Sequence, residues 1–256
     1  MSPIEVHHVV EGARGGPTVV LAHSLGTSMR MWDPQVPSLA SGHRVVRYDA
    51  RGHGRSPVPS GPFTIEDFAD DLLQLLDRLD VERAHLVGLS LGGMAAMSLA
   101  ADRPDRVSSL SLLCTSAQLG PRQLWIDRAH TARQQGMAVL GSSMIERWFT
   151  PGFLAAHRDV VAGLRAVLED TPPDGYACAC EAILNMDLRE RLASITAPTL
   201  AIAGAEDPAT PPEHLQLIAD SIPGARLEVV DGAAHLANLE QPDRVTDLLL
   251  EHLAHT

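Results

Sequence analysis

Short runs of Val, Ile, Leu and Ala alternate along the chain with longer stretches of helical period, the pattern of a mostly parallel sheet covered by helices. The runs at 4–10, 18–22, 44–49, 85–88, 107–114, 199–204 and 226–230 predict strands. Gly12, Gly15, Gly16 and Pro17 punctuate the first two, and Gly42 precedes the third. From residue 18 onward each strand is followed by a loop and a helical pattern, as right-handed crossovers require. The spacing of Phe68, Leu72, Leu75, Leu76 and Leu79 predicts a packing helix over 65–79, entered through Thr64 with Asp67 three residues on, a variant capping box. Between 117 and 192 the alternation stops. Trp125, Ile126, Met137, Val139, Met144, Trp148, Phe149, Leu164 and Leu168 recur there at helical spacings, so this stretch reads as an all-helical cap inserted before the last two strands. Gly120-Pro121 and the segment Thr196 to Pro198 mark its edges. The expected division is a core of 1–116 and 193–256 and a cap of 117–192.

At 256 residues the chain is long enough for one well-buried domain with an insertion. Its formal charge of −12 repels a phosphate backbone, which argues against a nucleic-acid partner. No apolar run approaches the about 20 residues that span a bilayer, and residues 1–10 lack the basic flank and long apolar run of a secretory signal. A cytoplasmic protein without a membrane partner is the expectation, and a homo-oligomer is left open. Cys114, Cys178 and Cys180 are odd in number and lack zinc or redox spacing, so they read as reduced and structural.

The strongest chemical signal is Gly88-Leu89-Ser90-Leu91-Gly92, lying between a predicted strand and a predicted helix. A serine held on such a turn needs very small residues two positions to either side, because neighbouring backbone passes close by. Its hydroxyl then projects at a helix N-terminus, where backbone N–H groups favour a developing oxyanion. A serine hydroxyl requires a base, and the base an orienting carboxylate. Asp207 follows the strand at 199–204 and His235 the strand at 226–230, so the order along the chain is Ser90, Asp207, His235. All three fall just past strand carboxyl ends, where open α/β sheets bind ligands. Glu206 is the rival acid; Asp207, directly before Pro208, is preferred for its shorter reach. A second oxyanion donor is expected in the loop His23-Ser24-Leu25-Gly26, from the N–H of Leu25 beside that of Leu91, with His23 as a structural residue. The loop from Asp49 to Ser56 lacks the Walker spacing and its lysine and reads as a structural turn containing His53. No dinucleotide fingerprint or metal-ligand spacing is visible, and no cofactor or metal is expected.

These residues carry a resemblance. The chain resembles the α/β-hydrolases almost end to end and, within them, is similar to the 3-oxoadipate enol-lactonases of the β-ketoadipate pathway. The resemblance rests on His23 to Thr27 with Arg30-Met31-Trp32-Asp33-Pro34-Gln35, on Val46 to Gly54, on Gly61 to Glu66, on the elbow, and on Ala234-His235-Leu236-Ala237-Asn238-Leu239-Glu240-Gln241-Pro242. His23 stands where family members often have Asn. The resemblance implies an α/β-hydrolase fold and a serine esterase, without cofactor, that opens a small anionic enol-lactone to 3-oxoadipate through an acyl-enzyme. A chain of charge −12 must supply local positive charge for such a substrate, and arginine suits a carboxylate. Arg30, Arg122, Arg128 and Arg133 are candidates, with Trp32 and Trp125 as apolar walls. A carboxylesterase or perhydrolase acting on neutral esters, a carbon–carbon bond hydrolase, and a non-catalytic binding module on the same fold remain alternatives. Dehalogenases and epoxide hydrolases of this fold use an aspartate nucleophile, which Ser90 excludes.

Overall fold

The computed structural model describes residues 3–256. Seven strands, β1 (His8–Gly12), β2 (Thr18–Ala22), β3 (Arg44–Tyr48), β4 (Ala84–Leu89), β5 (Val107–Leu113), β6 (Thr199–Gly204) and β7 (Arg226–Val230), form one sheet. Their order is β1-β3-β2-β4-β5-β6-β7. β1 runs antiparallel to β3 and every other pairing is parallel. The central strands β2, β4 and β6 are buried at every position, as expected of parallel strands covered on both faces. The edge strands β1 and β7 are half-exposed.

The first strand departs from expectation. Residues 4–7 lie outside the paired ladder and are held mainly by side chains, with one backbone bond from the Asp49 N–H to the His7 carbonyl at 2.9 Å. The Ile4 N–H donates to Asp71 Oδ1 at 2.8 Å and the His7 N–H to Ser56 Oγ at 2.8 Å. Pairing begins only at His8, opposite Tyr48.

The helix Ile65–Arg78 opens with the capping box: the Thr64 N–H donates to Asp67 Oδ2 at 2.8 Å and the Asp67 N–H to Thr64 Oγ1 at 3.2 Å. Its inner face meets Arg51, a fully buried cation. Arg51 Nε and Nη2 donate to Asp71 at 2.6 and 2.7 Å, and the guanidinium lies 5.4 Å from the centre of the Phe63 ring. A buried charge is tolerated only when neutralised and hydrogen-bonded, so this pair ties the 49–56 turn to the helix Ile65–Arg78. Asp49 closes the same turn by accepting from the N–H groups of Met29 and Arg55 at 2.9 and 3.0 Å.

Between β5 and β6 the chain is helical. Helices Arg122–Gln135, Gly141–Trp148, Pro151–Ala156, Arg158–Asp170 and Pro173–Asn185 follow one another with two short 3₁₀ turns. Helix Arg122–Gln135 packs along Pro173–Asn185, burying Ala129 and Ala132 against an Ala- and Cys-rich face. Trp148, Phe149 and Leu168 are interior, but Ile126 and Val139 point outward at 44% and 57% exposure, so not every apolar residue of the periodic pattern belongs to the core. The three cysteines are buried and free. Among the described residues no helix is long and apolar enough to cross a membrane.

Candidate active site

Ser90 ends β4 and opens the helix Leu91–Asp102 with φ 54° and ψ −114°. A left-handed φ is costly for a residue with a Cβ, and here backbone contacts on all sides impose it. A Cβ on Gly88 would stand 2.4 Å from the Gly92 carbonyl oxygen, and one on Gly92 would stand 2.3 Å from that of Ala22. The spacing of the two glycines is thus a steric requirement of the turn. The Ser90 N–H donates to the Leu113 carbonyl at 3.0 Å, and Thr115 Oγ1 donates to the Ser90 carbonyl at 2.7 Å.

Asp207 and His235 extend from the loops after β6 and β7. His235 Nδ1 lies 2.8 Å from Asp207 Oδ2. The carboxylate also accepts from Thr210 Oγ1 at 2.7 Å and from the N–H groups of Ala209 and Thr210 at 2.7 and 3.1 Å. Burial alone would raise the Asp207 pKa, but His235 and the Thr210 donors outweigh it and bring it down to about 2. Asp207 is therefore an anion across the physiological range, suited to fix Nδ1–H on His235 and leave Nε2 free to accept a proton. Glu206 is exposed and makes no such contact.

The loop 23–27 is clamped onto the elbow, since the Gly92 N–H donates to the His23 carbonyl at 3.1 Å. His23 is buried, with Nδ1 2.8 Å from the Ser24 carbonyl and Nε2 accepting from the Ala50 N–H at 2.8 Å. Burial lowers its pKa against the opposing pull of Asp49, and the neutral ring serves as a strut between two loops. His53 is likewise buried, its Nδ1 3.0 Å from the Arg51 carbonyl. Among the described residues, no hydrogen bond uses the N–H of Leu25 or of Leu91. Paired backbone donors held free in a buried turn are what a tetrahedral oxyanion needs.

Ser90 and His235 line one narrow cleft, together with Ser24, Leu25, Leu124, Trp125, Arg128, Met144, Arg147, Trp148 and Thr210. Of the residues expected to meet substrate, Trp125 and Arg128 lie here, the Arg128 guanidinium 4.9 Å from the centre of the Trp125 ring. The others lie elsewhere. Arg30 is exposed and 3.6 Å from Asp33; Trp32 is fully buried in the core. Arg133 pairs with Glu181 and lies 3.5 Å from Asp174, and Arg122 donates to the Leu184 carbonyl at 3.0 Å. Arg147 is on the cleft although the sequence reading passed over it; in helix Gly141–Trp148 nothing local separates it from an ordinary surface arginine. No group of His, Cys, Asp or Glu among the described residues is arranged to hold a metal ion.

Comparison with known proteins agrees with this geometry. The family model for the alpha/beta hydrolase fold matches residues 17–141 and 161–242. The chain is 39% identical over 235 residues to 3-oxoadipate enol-lactonase 1 of Acinetobacter baylyi, covering 92% of this chain and 88% of the relative. The crystal structure of the enol-lactonase from Burkholderia xenovorans LB400 superposes with a TM-score of 0.96 at 40% identity, covering 98% of this chain and 97% of that one. A malate-bound thermophilic esterase from Thermogutta terrifontis superposes with a TM-score of 0.93 at 32% identity, covering 98% and 94%. With the elbow, the strand order and the cleft in agreement with these matches, the chain belongs to the α/β-hydrolase family.

Proposed function

We propose that this carboxylic ester hydrolase opens a small carboxylate-bearing enol-lactone, 3-oxoadipate enol-lactone, to 3-oxoadipate. The observation that carries the reading is the make-up of the cleft. Ser90 and His235 lie in it with Arg128 and Arg147, and no carboxylate side chain lines it. In a chain of charge −12, a cleft lined by two guanidiniums beside Ser90 and His235 favours an anionic substrate. The enol-lactonase relatives and the malate-bound esterase support a small anionic substrate.

In this mechanism Ser90 Oγ attacks the lactone carbonyl and passes its proton to His235 Nε2, while Asp207 holds the imidazole and stabilises its charged form. The N–H groups of Leu25 and Leu91 receive the oxyanion, an interaction worth about 3 kcal/mol per donor in comparable sites. Collapse expels the ring oxygen, protonated by His235, as an enol that becomes a ketone. A water molecule deprotonated by His235 then attacks the acyl-serine, and the freed carboxylate leaves with Ser90 restored. The segment from Arg122 to Asn185 serves as a cap that sets substrate range, and the reaction fits aromatic catabolism after ring cleavage.

The test is the loss of ultraviolet absorbance on adding purified protein to freshly generated enol-lactone, with Ser90→Ala and a neutral aryl ester alongside. Fast loss that vanishes in Ser90→Ala and far exceeds ester turnover supports the reading. Ester turnover without lactone turnover makes the protein a general esterase, and no Ser90-dependent turnover of either makes it a binding module.

A further inference from the structure

Apart from the backbone donors of Leu25 and Leu91, the cleft holds two buried N–H donors that have no acceptor among the described residues. Arg147 Nε and Trp125 Nε1 are both shielded from solvent and without a hydrogen-bond partner, and both residues line the cleft that contains Ser90 and His235. Buried donors are nearly always paired, so two orphans on one cavity call for an acceptor that the cavity receives from outside.

Arg128 connects them. Its guanidinium lies over the Trp125 ring, and its charge acts on Arg147. Arg147 is held in place by its other edge, where Nη2 donates to the Pro208 carbonyl at 3.0 Å. Neither Arg128 nor Arg147 has an ion-pair partner among the described residues, whereas Arg30 and Arg133 both do. Arg128 repels Arg147 while Asp207 attracts it without forming a direct ion pair, and an anion between the two guanidiniums removes the repulsion that Asp207 leaves.

We propose that Arg147 Nε–H and Trp125 Nε1–H are the hydrogen-bond donors to the free carboxylate of the substrate, with Arg128 supplying further positive charge. The assignment rests on the reading of the enzyme as a hydrolase of small anionic esters and names the residues that make it so. It gives the cleft two donor poles: Leu25 and Leu91 for the reacting carbonyl, Trp125 and Arg147 for the carboxylate. It also gives Trp125 a polar role in place of the apolar wall expected from sequence. A ligand with a carbonyl at one end and a carboxylate at the other satisfies all four donors.

The test compares the mono-phenyl ester of succinate, which is anionic, with phenyl butyrate, which is neutral, in wild type, Arg147→Gln and Trp125→Phe. The readout is the ratio of the two kcat/KM values. A charge-assisted donor of this kind predicts that Arg147→Gln lowers the ratio roughly ten- to a hundred-fold and Trp125→Phe roughly three- to ten-fold. Equal loss on both esters in both variants, leaving the ratio at its wild-type value, overturns the proposal and leaves the two side chains a merely structural role. Binding of butyrate, followed by tryptophan fluorescence in Ser90→Ala and in Ser90→Ala/Arg147→Gln, separates this assignment from the catalytic one. Saturable butyrate binding that the second substitution weakens supports the carboxylate site even in a protein that turns over neither ester, and binding unaffected by it overturns the site whatever the turnover.

Discussion

Gln35 and Asn238, 203 residues apart in the chain, are joined by hydrogen bonds in both directions. Gln35 Nε2 donates to the Asn238 carbonyl at 2.9 Å, and Asn238 Nδ2 donates to Gln35 Oε1 at 3.2 Å and to the Met31 carbonyl at 2.8 Å. Two of the sequence runs that carry the resemblance, Arg30 to Gln35 and Ala234 to Pro242, are thus two halves of a single buried joint. The joint fixes the His235 loop relative to the loop that carries Leu25.

Asn238→Ala leaves the Met31 carbonyl and Gln35 Oε1 without their donor in a buried site, while the bond from Gln35 Nε2 to the backbone carbonyl at 238 remains. A loss of about 2 kcal/mol of stability is expected, measured by urea unfolding, with a fall in kcat from a less well-held His235. A variant as stable as wild type would show that water replaces the lost amide at no cost.

Asp207→Asn keeps the shape of the acid but presents an amide to His235 Nδ1, favouring the wrong tautomer. The expected fall in kcat is about 10⁴-fold, read from the initial rate of lactone opening. Asp207 also bears on acid stability. Its pKa of about 2 lies below the ordinary 3.8, so its stabilising contribution is complete above pH 3.8 and is lost as the pH falls toward 2. Thermal unfolding of Asp207→Asn should therefore depend less steeply on pH in that window than that of wild type.

Gly92→Ala places a methyl group 2.3 Å from the Ala22 carbonyl oxygen, a backbone atom that no rotamer change can move aside. The variant should be insoluble, or destabilised by about 3 kcal/mol or more with activity lost. Normal stability by calorimetry would mean that the elbow can shift away from β2, contrary to the packing described.

His85 is buried on β4, with Nδ1 2.8 Å from Ser109 Oγ. Burial, with His43, His252 and Arg83 close by, lowers its pKa to about 4. The native state keeps this ring neutral while the unfolded chain protonates it below pH 6.5. Its contribution is thus present above pH 6.5 and disappears as pH falls toward 4, by up to about 3 kcal/mol. His85→Gln retains a group able to bond Ser109 but does not titrate. The slope of unfolding free energy against pH between 6.5 and 4 should flatten in that variant, and an unchanged slope would assign the acid sensitivity to other groups.

The legible parts of this protein were those whose physics is local. Alternating strand and helix periods placed β2, β6 and β7 at their observed limits, and the Gly88–Gly92 spacing announced a turn that the contacts of both glycines explain. Residues 4–7 were misread as strand because their tethers, Asp71 and Ser56, lie far along the chain. The cap arginines were the hardest to sort. An arginine's role depends on which carboxylate folds against it, and sequence does not show that Glu181 pairs with Arg133 while no acid among the described residues forms an ion pair with Arg147. Asp33, three residues after Arg30, was the one nearby hint.

The end of helix Gly141–Trp148 is tied to both loops of the acid–base pair. Arg147 donates to the Pro208 carbonyl beside Asp207, the Trp148 carbonyl accepts from the Leu236 N–H beside His235, and Thr150 donates to Glu240 Oε1, whose other oxygen accepts from the Ala234 N–H at 2.5 Å. Helix Arg122–Gln135, by contrast, bonds through Arg122 and Arg133 to its neighbour Pro173–Asn185. The two parts of the helical segment therefore differ in evolutionary freedom. Substitutions at Leu124, Trp125 and Arg128 can reshape the cleft without touching the hydrogen bonds to the Asp207 and His235 loops, whereas a change at 147–150 alters the cleft lining and those bonds together. Selection for a new substrate has room to act on the cleft-facing side of helix Arg122–Gln135 and little on residues 147–150.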